Sequence, residues 1–502
     1  MGSISLLLPS PASPGLEPLL RLACFAGGYD LTPSPMSSRV DNGRLIVTRG
    51  PNESGYLLLP WPIGGTGPVV TTTATLRERA EPYSLMIELA RGKLNQVRIQ
   101  TAEWQDIGLQ TTPDFTQELA DTTHLFGTAV LNQPSLESES AATRALDRAY
   151  QLADQLVRTY IEQMFATRHM EEGPLGTWFA ARSTAPPESQ VASEYPRAFN
   201  AARLGFRWRD IEPAEAAYNW EPVDQAIAAA QAAGLPITFG PVIDITEGML
   251  PDWASGWRGD LPTLAAFMCD YLETLIGRYK DQVGRWVVCA GFNHSDGLGL
   301  SDDDRLRLAA RLFEAALQLA PEIDLVLSIA QPWGDYLVHE EQTISPLAFG
   351  DDLIRTGLRI SGVELEIRQG TTPRGSLPRD LLDASRLLDL FGALGVPLEV
   401  LLSHPGSGKL DPAASEHGES VHSVTWRGGP TLEGQAEWGA SFAALALCKP
   451  HIRSVTWDHW SDSDHHITPF GGLVDTLGRA SPLLYRFQAL RATHLGDAAR
   501  LA

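Results

Sequence analysis

The sequence predicts an α/β protein. A (β/α)8 barrel spans residues 171–502, preceded by a small β-sandwich-like domain over 1–135 and a connecting helix over 136–170. Three observations carry this. From about Leu175, eight short apolar runs alternate with amphipathic helical stretches over ~320 residues, which is how a (β/α)8 chain reads. Before them, residues 137–169 place Ala145, Leu152, Leu156, Tyr160 and Met164 at helical spacing. Before that, short β-type runs are punctuated by turn residues.

In order, the first domain is expected to hold strands at 44-RLIVTR-49, 55-GYLLLPW-61, 69-VVTTTATL-76, 83-YSLMIELA-90 and 95-NQVRIQ-100. Arg91, Lys93, Asn95 and Arg98, near Trp104, read as the solvated face of such a strand or as a binding face. The eight barrel strands are expected at 175–181, 201–208, 236–243, 284–291, 323–330, 361–367, 397–403 and 453–458. Helices fill the gaps, and Gly234 and Gly395 sit where helix ends want a residue at positive φ. A doubly wound open sheet is the rival. It is disfavoured because no glycine-rich phosphate loop follows a strand; in Gly406-Ser407-Gly408-Lys409 a leucine, Leu410, replaces the hydroxyl residue that would hold magnesium.

Composition narrows the partners. Asp and Glu total 61 against 39 Lys and Arg, a net charge of -22 over 502 residues. Nucleic acid is therefore excluded as the main partner, since phosphate binding needs a basic footprint. A neutral or cationic glycan fits better. The four cysteines are scattered without a CxxC pair, so no disulfide framework or zinc knuckle is expected. No cofactor is expected either. The N-terminal apolar run lacks a basic flank and is broken by Pro9, Pro11 and Pro14, so the expectation is a cytoplasmic protein with no membrane segment.

In such barrels chemistry sits where the strands end at their C-termini. There the sequence offers Arg207 after strand two, Asp244 and Trp253 after strand three, and Asn293, His294 and Asp296 after strand four. Gln331 and Trp333 follow strand five, Glu366 and Arg368 share one face of strand six, and His404 follows strand seven. Trp457, Asp458 and Trp460 close the set at strand eight. Indoles stack on sugar rings and carboxylates accept from hydroxyls, so a carbohydrate site is expected, with the tryptophans lining one groove.

Three stretches add a resemblance. The segment 199–240, with its Trp208-x-x-x-Glu212-Pro213 turn, 250-LPDWA-254, and the run from 435-QAEW-438 through 454-SVTWDHWSD-462 to Tyr485 resemble glycoside hydrolase family 10, the endo-1,4-β-xylanase family. The resemblance implies a (β/α)8 barrel hydrolysing β-1,4 linkages with two glutamates: an acid/base in an Asn-Glu pair after strand four and a nucleophile ending strand seven. This sequence departs from both. Cys289-Ala290 or Asn293-His294 stand for the pair, Leu402 for the nucleophile, and Arg203-Leu204 for a Glu-Asn pair of strand two.

Three functions follow. The first is a glycoside hydrolase-like enzyme with relocated catalytic groups. Glu366 would be the carboxylate, kept ionised beside Arg368, and His294 or Asp296 the proton donor. The second is a non-catalytic carbohydrate-binding pseudoenzyme. The third is a metal-dependent hydrolase using His459, His465 and His466 with Asp458, Asp462 and Asp464 in the loop after strand eight.

Overall fold

A computed structural model describes residues 2–9, 15–28, 30–50, 53–184, 191, 193–246, 248–294, 298–338, 343–371, 377–414, 426–427 and 429–498. Its larger part is a closed parallel barrel. The strands are β1 (Trp178–Ser183), β2 (Ala202–Leu204), β3 (Ile237–Phe239), β4 (Arg285–Ala290), β5 (Asp324–Ala330), β6 (Gly362–Arg368), β7 (Leu398–Ser403) and β8 (Ile452–Trp457). They pair in sequence order, and β8 returns to β1 through Ser454↔Trp178 and Thr456↔Ala180. A short continuation of β3 at Ile243–Asp244 pairs with the end of β4 and brings Asp244 to the mouth. The expected eight strands and the (β/α)8 class are thus present.

The register sorts the strand residues into two faces, because partners across a parallel ladder point the same way. Leu365, Ile367, Val400, Leu402, Val455 and Trp457 belong to the core between strands and helices. The other face, into the lumen, carries Arg182, Arg203, Arg285, Ser328, Glu364, Glu366, Arg368, Glu399, Leu401 and Ser403. A (β/α)8 lumen is ordinarily filled by branched apolar side chains; this one is largely ionic. At its lower level Arg203 meets Glu364 at 3.2 Å and Arg285 meets Glu399 at 3.1 Å, all four buried. The Arg285 guanidinium also lies 5.1 Å from the Trp178 ring.

The N-terminal part has two four-stranded sheets. One orders Met36–Asp41, Arg44–Arg49, Gly2–Leu7 and Tyr83–Ser84; the other orders Thr32–Ser34, Cys24–Gly27, Tyr56–Ile63 and Gly67–Thr72. Ile4, Leu45 and Val47 of the first share a core with Phe25, Leu57 and Val69 of the second. The expected strands at 83–90 and 95–100 are not strands beyond Ser84. They form helix α1 (Leu85–Asp106), followed by α2 (Pro113–Leu131) and α3 (Leu136–Glu172). The unit is therefore a sheet pair covered by helices. Lys93 is no part of a solvated face: it is buried and pairs with Asp380 of the barrel at 2.5 Å, while Trp104 stacks on Tyr160.

The α3 helix starts at Ser135, whose side chain accepts from the Ser138 amide, and stops at Gly173 with φ +72. Its buried stripe runs from Ala141 to Phe165. The first half packs in the N-terminal core and the second in the barrel core. There it meets barrel helices α4 (Leu381–Gly392) and α5 (Leu432–Cys448). Arg168 donates to the carbonyls of Leu447, in the last turn of α5, and of Lys449 just past it. Among the described residues no helix is long and apolar enough to cross a membrane.

Candidate functional site

The upper lumen is a chain of alternating charges. Arg368 at the end of β6 touches Glu366 two residues earlier, and its Nε donates to Asp458 Oδ2 at 3.0 Å. On the other side, Arg182 Nε donates to the Asp458 carbonyl at 2.8 Å, and Arg182 Nη2 lies 2.7 Å from Asp458 Oδ1. Below, Ser328 Oγ is 2.7 Å from Glu366 and 3.0 Å from Glu364, with one proton to give either. Asp458 is fully buried. Burial alone would raise its carboxyl, but the two guanidiniums hold it well below the usual carboxylate range. Arg182 was missed in the sequence because the first strand was ended one residue short of it.

The residues expected to touch sugar are mostly committed elsewhere. Asn293 is buried and bridges β4 to β5: its Nδ2 donates to the Ala330 carbonyl at 2.8 Å and its Oδ1 accepts from the Ala330 amide at 3.1 Å. No amide is left for a hydroxyl. His404 is 0% exposed, with Nδ1 on the Pro405 carbonyl and its ring against Trp438. Arg207 forks onto Asp210 at 2.6 and 2.8 Å. Asp244 closes a turn by accepting from the Thr246 amide at 2.9 Å. His294 packs beside Tyr336, and burial lowers its pKa to about 4, so near neutrality it carries no proton to donate from the charged form. Gln331 follows β5, half-buried at φ +47. Asp296 lies outside the described residues.

The four tryptophans do not form one groove. Trp457 points into the helix layer, 1% exposed, its Nε1 on the Gly471 carbonyl at 2.8 Å. Trp460 is 2% exposed and packs on Tyr195 at 5.0 Å. Trp253 donates to the Glu212 carbonyl and meets Trp208 edge-on. Trp333 lines a cleft of about 250 Å³ shared by the barrel and the N-terminal unit, with Arg379, Gln100 and Leu58. For Trp457 and Trp253 the reason is shared: a buried indole needs an acceptor, and loop carbonyls supply it away from the mouth. Leu402 is corrected as well. It faces the helices, and the lumen positions flanking it are Leu401 and Ser403, neither of them a carboxylate.

Among the described residues one group could hold a cation. His459, Asp462 and His466 are buried, and their ligand atoms all lie within 4.8 Å of one another.

This geometry can be set beside known proteins. The sequence profile described as Glycosyl hydrolase family 10 matches residues 176–324, from just before β1 to the start of β5. Over that match the barrel is similar to a divergent, xylanase-like family 10 barrel. Its curated relatives include endo-1,4-beta-xylanase A of Fusarium oxysporum f. sp. lycopersici, 30% identical over 92 residues, which is 18% of this chain and 28% of that protein. Endo-1,4-beta-xylanase B of Paenibacillus barcinonensis is 26% identical over 125 residues, 24% of this chain and 37% of that one. The chain therefore matches about a third or less of the length of most such relatives. Among solved structures, native xylanase 10B of Thermotoga maritima aligns with 66% of this chain and 96% of its own, at 15% identity and a TM-score of 0.45. The N-terminal unit lies outside the profile match of the family 10-like barrel.

Proposed function

We propose that this chain is a glycoside hydrolase-like protein that binds a xylan-like polysaccharide or oligosaccharide at the barrel mouth and does not cleave it by the paired-carboxylate route. The observation that supports this reading best is the state of the lumen carboxylates. Retaining hydrolysis needs two carboxyls about 5–5.5 Å apart, one free to attack and one able to give up a proton. Here Glu366 and Asp458 are tied to the same Arg368, and Asp458 also to Arg182. An ionised carboxylate held by guanidiniums is a weak nucleophile and no acid. At the end of β7, Leu401, Leu402 and Ser403 supply no replacement.

Binding needs less. Half-buried Arg207, Asp244, Gln331 and Arg368, at or just beyond the strand ends, have more N–H groups and oxygens than their present partners use, and these could serve sugar hydroxyls. The test is calorimetric titration of the full chain with neutral xylo-oligosaccharides, run beside a reducing-end assay on xylan. Binding without release of reducing ends is expected. Release that disappears in Glu366→Gln would restore a catalytic reading with relocated groups. Absence of binding to any neutral or cationic glycan would remove the carbohydrate reading.

A further inference from the structure

We infer that His459, Asp462 and His466, in the loop after β8, form a closed structural site for one zinc-class divalent ion, with Asp411 from the loop after β7 placed as a fourth donor. The inference is independent of whether the mouth binds glycan.

Four observations lead to it. First, His459 is 2% exposed and among the described residues neither ring nitrogen has a hydrogen-bond partner. A buried imidazole with both nitrogens idle gives up hydration for nothing, which buried polar groups ordinarily avoid. Second, His459 Nε2 and Asp462 Oδ1 are 4.0 Å apart. That is too far for a hydrogen bond. It is the spacing of two atoms on either side of one ion, given bonds of about 2.0–2.2 Å. Third, His466 is oriented as a ligand. Its Nδ1 lies 2.7 Å from the Asp464 carbonyl, which can only accept, so Nδ1 carries the hydrogen and Nε2 presents its lone pair. Nε2 is 2.9 Å from Asp411 Oδ2, an oxygen that accepts from the Phe470 amide at 2.7 Å.

Fourth, the backbone fits closely around the group. A Cβ on Gly471 would lie 2.6 Å from His459 Cε1, and one on Gly472 would lie 2.6 Å from Asp462 Oδ1. Two successive glycines thus let the chain wrap the His459–Asp462 edge. Asp462 has a backbone donor, the Gly472 amide at 2.7 Å, but among the described residues no arginine or lysine pairs with it. The nearby guanidiniums of Arg182 and Arg368 are spent on Asp458 and Glu366.

The donor set selects the ion. Two imidazoles with carboxylates favour zinc and its neighbours over calcium or magnesium, which take oxygen almost alone. Burial of all three residues leaves no position open to substrate, so the role is structural. The ion would clamp the loop after β8 to that after β7, beside the Asp458 network. The two imidazoles now stand nearly parallel at 4.7 Å, so binding would tilt them toward the common centre.

The test uses the full chain, equilibrated with zinc chloride, freed of loose metal by gel filtration, and assayed by elemental analysis. About one zinc per chain is expected, with the thermal midpoint raised by roughly 5 °C over the chelator-treated protein. His459→Gln and Asp462→Asn should lose the metal, while His465→Ala, from the same loop but outside the cluster, should keep it. Cobalt loading should give an intense visible band of a low-coordinate nitrogen and oxygen site. This reads the unmutated chain should either variant fail to fold. A chain that retains no zinc, or a folded His459→Gln variant that keeps its full complement, or a weak band of surface-bound cobalt, would each overturn the assignment.

Discussion

At the end of β7, Leu402 is 1% exposed and shares its register with Ile367 and Trp457, all three facing the helices. The resemblance placed it where a nucleophile belongs, and the ladder shows why restoring the glutamate there will fail. Leu402→Glu puts a carboxyl into an apolar layer with no cation aimed at it, at a cost on the order of 3–5 kcal/mol. The expected outcome is a lower urea midpoint and no reducing ends from xylan. Hydrolysis by this single variant would overturn the reading of the mouth. His404, on the next turn of chain, gives a pH prediction. Burial lowers its pKa from 6.5 to about 4, so the folded state keeps it neutral while the unfolded chain protonates it. Its contribution is complete above pH 6.5 and is lost as pH falls toward 4, amounting to roughly 3 kcal/mol at the acid end. Asp380, raised to about 6 by burial, tilts the curve the other way, losing stability as pH rises. Comparing His404→Gln with the parent isolates the histidine: the variant's midpoint should fall less between pH 6.5 and pH 4. Equal falls would mean that the His404 ring is solvated.

Among the elements, the barrel strands were legible because each is a short apolar run between helical stretches, and their existence needs no knowledge of neighbours. Helix α1 was misread for a local reason. Residues 83-YSLMIELA-90 and 95-NQVRIQ-100 are rich in strand-type side chains, and each was judged in a window too short to show periodicity. Over the full length Leu85, Leu89, Lys93, Val97, Thr101 and Trp104 fall at three- and four-residue spacing and are all buried. The mouth was legible as a list and illegible as an arrangement. Glu366 beside Arg368 follows from the period of a strand. That Asp458 and Arg182 complete the chain depends on β8 closing against β1, which no local pattern carries. The α3 helix spans both parts of the molecule and supports a prediction at this scale. Its second half buries Leu152, Leu156, Tyr160 and Phe165 against the barrel, at about 25 cal/mol per Å² of apolar surface. A fragment starting at Leu175 uncovers that surface, along with Asp380, which loses Lys93. It should melt at least 5 °C below the full chain, roughly, and self-associate in gel filtration. A monomeric fragment with an unchanged midpoint would show that α3 is not part of the barrel's stability.

For the molecule as a whole, the lumen decides how stability responds to charge. The surface carries the net charge of -22, where salt screens it. Inside, Arg285 and Glu399 are 0% and 1% exposed and out of reach of counter-ions. Burial raises the Glu399 carboxyl, against the pull of Arg285. Such a pair contributes little relative to a well-packed apolar replacement, because desolvation offsets the attraction, yet removing one member strands the other. Arg285→Met should therefore destabilise the chain by about 3–5 kcal/mol, and Arg285→Met with Glu399→Leu should recover most of it. The sign with pH follows from the same pair. Without Arg285, the Glu399 pKa in the folded state rises further above its value in the unfolded chain. The folded state then holds a proton the unfolded chain releases, so stability is present at low pH and lost as pH rises. The single variant should be closest to the parent near pH 4 and furthest from it near pH 7, while the double variant shows no such slope relative to the parent. Urea midpoints for the four chains at both pH values, at low and high salt, supply the measurement. Should the single variant's deficit vanish in high salt, the lumen is wet and screened, and the ionic filling of the barrel is no more than a solvated channel.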